Sequence, residues 1–168
     1  MHPDWNRDTM KNDLGMLPLE ETLEFGETIQ PVSLDFNPVY REPSFVLGWG
    51  LIATRPAITP LNLQILEVNT LNPQICVDVV SEASAVMWPE APIVDPDLEI
   101  CSLYSGGMQQ FTPGLCFGDS GSPLMSKLTG LQIGIASWAF PCATGVPDVH
   151  TRISPYEGWI KGTMGLYQ

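Results

Sequence analysis

A serine flanked by glycines is the strongest chemical signal in the sequence. Gly118-Asp119-Ser120-Gly121 lies within a short segment, 117–124. The glycines allow a tight turn whose backbone N–H groups point into one cavity, where they can hold the negative oxygen of an acyl-transfer intermediate. Asp119 could anchor that turn from behind through an ion pair. The pattern indicates Ser120 as a nucleophile, although Gly-Asp-Ser-Gly alone is often only a surface turn of small residues.

The surroundings of this motif favour chemistry over a plain turn. Cys116 precedes it, an apolar strand follows it, and Ser137-Trp138 and Cys142 come next along the chain. A lone four-residue motif carries little weight, whereas the same motif in a fitting context carries much more.

The elements that must position the serine are predicted to be mostly β-strands. Sixteen prolines and 15 glycines are spread along the chain and divide it into short segments, which suits many strands and few helices. Strands are predicted over 45–50, 61–68 and 131–138. Apolar residues alternate most clearly at Leu61, Leu63 and Ile65 and at Leu131, Ile133 and Ile135. We therefore expect an antiparallel, all-β architecture.

Two segments are predicted to be helical. Asn72-Pro73 begins a short helix that runs toward Val80. Ser154-Pro155 offers an N-cap and a proline at the first helical position to a last helix through Leu166. The face expected to dock this last helix on the body of the protein consists of Tyr156, Trp159 and Ile160.

The composition of the chain limits the classes of protein to which it can belong. The chain has 168 residues, of which 44% are hydrophobic, enough to build the core of one domain or of two small lobes. Its net charge is −12, so phosphate backbones and anionic lipids would repel it. No apolar stretch approaches the roughly 20 residues that span a bilayer. We expect neither nucleic-acid nor membrane partners.

The cysteines and the start of the chain favour different cellular compartments. Four cysteines, none in a Cys-x-x-Cys spacing, favour two structural disulfides and hence an oxidising compartment. Residues 1–5 carry neither a basic nor an apolar leader, so no secretory signal is expected in this chain. A protein of this kind is either reduced in the cell or lacks its beginning in this sequence.

The motif around Ser120 resembles the nucleophile motif of the chymotrypsin-like (trypsin-like) serine proteases. Other segments follow in that family's order and spacing: 12–17, 29–34, Gly48-Trp49-Gly50, Ser137-Trp138 and 147–154 with Trp159-Ile160. The resemblance covers essentially the whole chain. It implies a Greek-key double β-barrel, two six-stranded antiparallel barrels with the active site between them, followed by a C-terminal α-helix.

The resemblance also implies that the domain is incomplete. It places Met1 midway through the first barrel, so we expect the remainder of that barrel over 1–35, a linker and the second barrel over 36–153, and the C-terminal helix over 154–168. The activating N-terminus and the Ala-Ala-His-Cys block that supplies the catalytic histidine are expected upstream. The missing N-terminal half of the domain would then be the natural partner of this chain.

The catalytic roles follow from the resemblance residue by residue. Ser120 would attack a peptide carbonyl, a histidine would take its proton, and Asp13 would orient that histidine. The backbone N–H groups of Gly118 and Ser120 would form the oxyanion hole. In the family, the partner of Asp119 is the charged N-terminus freed by cleavage of the zymogen. No cofactor and no metal are implied.

The two histidines of the chain are not expected to act as the general base. His2 belongs to a loop segment, and His150 replaces a usual aromatic residue behind the specificity pocket. We therefore expect a serine endopeptidase of peptides and proteins whose chain, as given, is nearly inert alone. The alternatives are a non-catalytic homologue that binds peptides or proteins in the same cleft, and an enzyme completed by a separate fragment.

The resemblance assigns a specificity pocket around the serine. Its members are Gly114 at the base, Leu115, the strand residues Ser137, Trp138 and Ala139, and Asp148. Gly114 lies where trypsin-like members carry an aspartate. Asp148 could project a carboxylate into the pocket from another wall, giving broad or mixed apolar and basic preference, or it could turn away to meet a backbone donor.

The resemblance pairs the cysteines and implies a location. The expected disulfides are Cys76–Cys101 and Cys116–Cys142, and Ser44 and Ser126 stand at the two ends of a further bridge that the family often has. Because all four cysteines find partners, we expect an exported, extracellular protein. Proteinaceous protease inhibitors are possible partners of such a protein.

Overall fold

A computed structural model describes residues 1–106, 112–140, 142 and 144–166. Within these ranges the strands are β1 (Pro43–Gly48), β2 (Ala53–Thr54), β3 (Ala57–Ile58), β4 (Gln64–Thr70), β5 (Glu99–Tyr104), β6 (Pro123–Ser126), β7 (Gln132–Trp138) and β8 (Asp148–Arg152). Six of them close into a barrel in the order β1-β4-β5-β8-β7-β6, and β2 pairs with β3 separately. Every barrel pairing is antiparallel. The all-β prediction is confirmed.

Alternation along the strands fills the barrel with apolar side chains. Successive side chains of a strand point to opposite faces, so every second residue enters the interior. The buried cluster inside the barrel comprises Val46, Val68, Ile100, Leu115, Leu124, Ile133 and Ala136. This core fixes the positions of the loops that join the strands, including the loop that carries Ser120.

The strand predicted over 61–68 is present as β4, over Gln64–Thr70, and the alternating apolar residues that indicated it are exposed. Leu61 and Ile65 are exposed, whereas Leu66 packs against the core and Val68 is buried. Apolar residues occur on both faces here, so the sequence alone left the phase open. The pairing of β4 with β1 places Val68 opposite Ser44 and thereby fixes which face is inside.

The first predicted helix begins as expected and ends later. Helix α1 covers Pro73–Met87, and the side chain of Asn72 caps it by accepting a hydrogen bond from the backbone N–H of Gln74. No proline or glycine interrupts the chain between Val80 and Pro89, so the helix continues until Pro89 disfavours it. Among the described residues, no helix has the length and apolar character needed to cross a membrane.

The C-terminal helix docks as predicted, but Ser154 does not cap it. Ser154–Tyr156 forms a 3₁₀ turn without a side-chain cap, and helix α2 follows over Glu157–Gly165. Residues 167–168 of the segment predicted as helical lie outside the described residues. The docking face packs on the body in one cluster, formed by Leu14, Ile153, Tyr156 and Ile160 with Trp159 against them.

The N-terminal segment lies against the barrel without joining it as a strand. Among its described residues, isolated bridges pair Asn6 with Lys11 and Leu34 with Gln132 of β7. Leu14 is buried beneath the C-terminal helix, while Leu17 is 90% exposed. The stretches around Leu14 and around Leu34 are therefore fixed on the barrel.

Candidate active site

The loop that carries Ser120 is a closely hydrogen-bonded turn. The N–H of Asp119 donates to the carbonyl of Cys116 at 3.1 Å, and the N–H of Ser122 donates to the carbonyl of Asp119 at 3.0 Å. Gly118 adopts φ +99°, a backbone conformation that side chains disfavour. A Cβ atom there would also lie 3.2 Å from Cα of Gly50. The glycine before the serine is therefore required by the shape of the turn.

The carboxylate of Asp119 anchors this turn from behind through backbone amides. Its Oδ1 accepts a hydrogen bond from the N–H of Gly50 at 2.9 Å, and its Oδ2 accepts one from the N–H of Cys116 at 3.0 Å. Among the described residues the ion pairs are formed by other carboxylates. Asp119 is thus held by neutral donors, whereas the sequence-based expectation was an ion pair.

Asp13 is fixed by hydrogen bonds from three other parts of the chain. The Ser137 hydroxyl donates to Oδ2 at 2.7 Å, and the indole N–H of Trp5 donates to Oδ1 at 2.9 Å. The Thr151 hydroxyl donates to the backbone carbonyl of Asp13 at 2.8 Å. These bonds join the N-terminal segment to β7 and β8.

One cavity brings several of the predicted site residues together. It has a volume of about 370 Å³ and is lined by Ser120, Leu115, Ser137, Trp138 and Ala139, among others. Because Ser137 also donates to Asp13, one residue connects the cavity of Ser120 with the Asp13 carboxylate.

Gly114 and Asp148 are not among the residues that line this cavity. Gly114 lines an adjoining cavity of about 450 Å³, which shares Leu115 and Cys116 with the first. Asp148 is 7% exposed, and its Oδ2 accepts a hydrogen bond from the N–H of Leu115 at 3.0 Å. The structure therefore gives Asp148 a backbone donor.

Burial controls the charge of Asp148. Loss of hydration raises the pKa of its carboxyl to about 7 from an ordinary value of 3.8. The hydrogen bond from Leu115 opposes this rise, and the negative charge of Asp119 adds to it. Near neutral pH, the carboxyl of Asp148 is therefore only partly ionised in the free protein.

Both histidines make structural contacts. His150 is fully buried, its Nε2 lies 2.8 Å from the Ser102 hydroxyl, and burial lowers its pKa to about 3. His2 contacts the rings of Tyr156 and Trp159, at centroid distances of 5.3 and 4.9 Å. In the part of the chain that the structure describes, no cluster of three or more acidic, histidine or cysteine side chains is arranged to hold a metal ion.

The two disulfides are those implied by the resemblance. Cys76–Cys101 joins α1 to β5, and Cys116–Cys142 closes a loop that contains Ser120. Ser44 and Ser126 lie opposite each other in the pairing of β1 with β6.

Sequence reasoning missed a buried acid next to the serine pair. The Ser126 hydroxyl donates to Oε2 of Glu42 at 2.8 Å, and burial raises the pKa of that carboxyl. A second buried acid, Glu99, was also missed, as were the two side chains Trp5 and Lys11 that approach the site from the N-terminal segment. No local pattern marks these residues, because their partners are distant in sequence.

Comparisons with known proteins identify the family. A family model described as Trypsin matches residues 1–160. Serine protease 41 of Homo sapiens is 32% identical over 165 residues, Chymotrypsin-2 of Vespa crabro 31% over 163, and Trypsin alpha of Drosophila melanogaster 30% over 164. The chain belongs to the trypsin family, a family of serine endopeptidases.

The matched relatives are longer than this chain. The alignments cover 92%, 96% and 96% of the chain, but 48%, 66% and 58% of the human, hornet and fly proteins. The chain thus spans about half to two thirds of the length of these relatives.

Proposed function

We propose that this protein is a serine endopeptidase that acts through an acyl-enzyme, with Ser120 as the nucleophile. Ser120 Oγ would attack a peptide carbonyl, and the N–H groups of Gly118 and Ser120 would hold the resulting oxyanion. Asp13 would orient the general base. The observation that carries the proposal is the position of Ser137, which lines the cavity of Ser120 and also donates to Asp13.

The general base in this proposal is a histidine outside these 168 residues. His150 is buried against Ser102, and His2 packs on the C-terminal helix. Loss of the serine or the histidine of a triad alone costs about as much turnover as loss of all three members, on the order of 10⁶. We therefore propose that this chain is nearly inert alone, and that 1–35 is the remainder of a first barrel, 36–153 the linker and second barrel, and 154–168 the C-terminal segment.

The substrates in this proposal are peptides and proteins with an apolar side chain at the cleavage site. Leu115, Trp138 and Ala139 give the cavity beside Ser120 an apolar lining. Asp148 is hydrogen-bonded to Leu115 and only partly ionised, so it contributes little to recognition of basic side chains. Two disulfides and the resemblance to exported enzymes support an extracellular location, where proteinaceous inhibitors would be the natural competitors of substrate.

One contact favours a second candidate, a non-catalytic homologue that binds peptides or proteins. The indole of Trp5 donates to Oδ1 of Asp13, so both carboxylate oxygens already have partners within the chain. A carboxylate oxygen can accept a further hydrogen bond, but an occupied Asp13 requires no histidine to satisfy it.

A fluorophosphonate probe with added imidazole tests the proposal. Imidazole can supply in solution the base that the chain lacks, taking the proton of Ser120 as its oxygen bonds to phosphorus and fluoride leaves. We expect slow labelling of the chain alone and faster labelling as imidazole is added. Labelling should follow the neutral fraction of imidazole and fall in Asp13→Asn.

Two serine variants serve as matched controls. Ser120→Ala should abolish labelling, whereas Ser122→Ala, which removes the hydroxyl two positions away in the same loop, should retain it. Rapid labelling of Ser120 without imidazole would contradict the proposed inertness. No labelling at any imidazole concentration, combined with binding of peptides, would favour the non-catalytic homologue.

A further inference from the structure

The buried carboxylate of Glu99 has three donors around it. Glu99 is 4% exposed. Its Oε2 accepts hydrogen bonds from Lys11 Nζ at 2.6 Å and from the backbone N–H of Asp95 at 2.8 Å. Its Oε1 accepts one from the indole N–H of Trp138 at 2.9 Å. A buried charge is tolerated when it is paired and hydrogen-bonded, and this carboxylate is both.

These bonds complete a second connection between the N-terminal segment and β7. Ser137 donates directly to Asp13. The next residue, Trp138, is linked through Glu99 to Lys11, which lies two residues before Asp13. Two consecutive residues of β7 are therefore tied to two positions of one short stretch of chain, so their side chains are fixed relative to Asp13.

The ring that Glu99 holds forms part of the wall of the Ser120 cavity. The Trp138 ring meets the Trp88 ring edge-on, with centroids 6.3 Å apart, and lies tilted against the Phe140 ring at 6.2 Å. Trp88 and Phe140 also meet edge-on at 6.2 Å, and all three rings line the cavity that contains Ser120. The orientation of Trp138 thus determines the shape of this aromatic wall.

We propose that Glu99 is a positioning residue for substrate selection: through Trp138 it holds the aromatic wall in the form that accepts an aromatic side chain of a bound peptide. This inference rests on the proposed function, because it assigns a selectivity to the same cleft. Glu99 itself has no contact with the Ser120 cavity and acts only through the indole. Lys11 forms an ion pair with the carboxylate and holds it in place, and so acts one step further away.

The variant that isolates this role is Lys11→Met with Glu99→Leu. Removing one partner of a buried pair leaves an uncompensated charge, whereas removing both with apolar residues of similar size preserves the fold. Trp138 then keeps its ring and loses its acceptor. The matched control is Lys127→Met with Glu67→Leu, an ion pair of the same 2.6 Å length on the exposed surface.

Two measurements report on the inference. The ¹H–¹⁵N resonance of the Trp138 indole, assigned with Trp138→Phe, reports on the hydrogen bond to Glu99. Affinities for two acetylated pentapeptide amides that differ only in one phenylalanine or alanine report on selectivity. We expect the parent chain to prefer the phenylalanine peptide by about three- to tenfold, as edge-to-face ring contacts allow.

In the Lys11→Met/Glu99→Leu variant the indole resonance should shift, and this preference should fall to near one, with little change in affinity for the alanine peptide. The Lys127→Met/Glu67→Leu control should behave as the parent chain. An unshifted indole resonance, or an unchanged preference in a folded variant, overturns the role of Glu99 and leaves the protease proposal standing. If the parent chain binds neither peptide, or binds both alike, this inference fails, and the imidazole-assisted labelling of Ser120 decides the proposed function separately.

Discussion

The hydroxyl of Ser137 donates a hydrogen bond to Oδ2 of Asp13 at 2.7 Å, across 124 positions of sequence. Ser137 belongs to β7, in the wall of the closed barrel, whereas Asp13 belongs to a segment without regular strands. The barrel therefore supplies the rigid side of this contact. Asp13 takes its position from β7, and a general base bonded to Asp13 would take its position from there as well.

Removal of this hydroxyl should loosen the N-terminal segment. A hydrogen bond to a charged acceptor contributes about 1.5–3 kcal/mol, and the lower end applies at this half-buried position. We expect Ser137→Ala to lower the free energy of unfolding in urea by about 1.5 kcal/mol. Ser105→Ala, which removes an exposed serine hydroxyl bonded to a neutral carbonyl, should cost much less. Equal losses in the two variants would contradict this prediction.

A methyl group at Gly118 should disturb the Ser120 turn. At φ +99° a side chain is strained, and its Cβ would press on Gly50, so Gly118→Ala should cost about 1–3 kcal/mol. Gly158→Ala lies in α2 with open space around the new Cβ and should instead stabilise by about 0.5–1 kcal/mol. Imidazole-assisted labelling of Ser120 should fall only in the first variant. Retained stability and labelling in Gly118→Ala would exclude a constrained turn.

Asp148 should make the protein more stable as the pH falls from about 7 toward 3.8. Its pKa is raised on folding, so in this range the folded state holds a proton that the unfolded state has lost. The slope reaches at most about 1.4 kcal/mol per pH unit. Asp148→Asn keeps an oxygen for the N–H of Leu115 and should lose this dependence. Urea unfolding of both proteins at pH 8 and pH 5 measures it, and parallel pH profiles would refute it.

His150, in contrast to Asp148, should make the protein less stable as the pH falls. Its pKa falls from 6.5 to about 3 on folding, so below pH 6.5 the unfolded state binds a proton that the folded state excludes. Stability contributed by the neutral ring is therefore lost as the pH falls from 6.5 toward 3. His150→Phe with Ser102→Ala removes both members of the pair and should lessen acid destabilisation between pH 6 and pH 4. A variant as acid-sensitive as the parent would contradict this.

The two disulfides should contribute similarly to stability and differently to the active site. They close loops of 25 and 26 residues, each worth about 3.5 kcal/mol in the chain-entropy account. Replacing both cysteines of either pair by serine should lower the free energy of unfolding by comparable amounts. Only loss of Cys116–Cys142, adjacent to the Ser120 turn, should also impair labelling of Ser120. Equal labelling in the two double variants would show that this bridge does not support the turn.

Structural features that depend on residues close together in sequence could be predicted. The cap at Asn72 and the strand that follows the Ser120 motif depend on neighbouring residues, and both are visible in the sequence. The phase of β4 was not predictable, because apolar residues occupy both of its faces and only pairing with β1 selects one. The role of Ser154 was misjudged because it begins a 3₁₀ turn, so α2 starts three residues later, at Glu157.

The sequence predicts which residues belong to the candidate site. It does not predict the contacts that those residues make. The motif around Ser120 marks the loop, and the resemblance marks Asp13. The hydrogen bond of Asp148 to Leu115 and the buried Glu99 depend on side chains brought together by the closed barrel. Burial raises the pKa of Asp148, and the residues next to it in sequence do not reveal that burial.

The carboxylate of Asp119 lies so close to Gly48 and Gly50 that a Cβ atom at either position would come within 2.2 Å of one of its oxygens. Both glycines precede Ser120 by about seventy positions, yet neither tolerates replacement without displacing the acid on which the turn rests. A side chain at either glycine would therefore disturb the Ser120 turn from about seventy positions upstream in sequence.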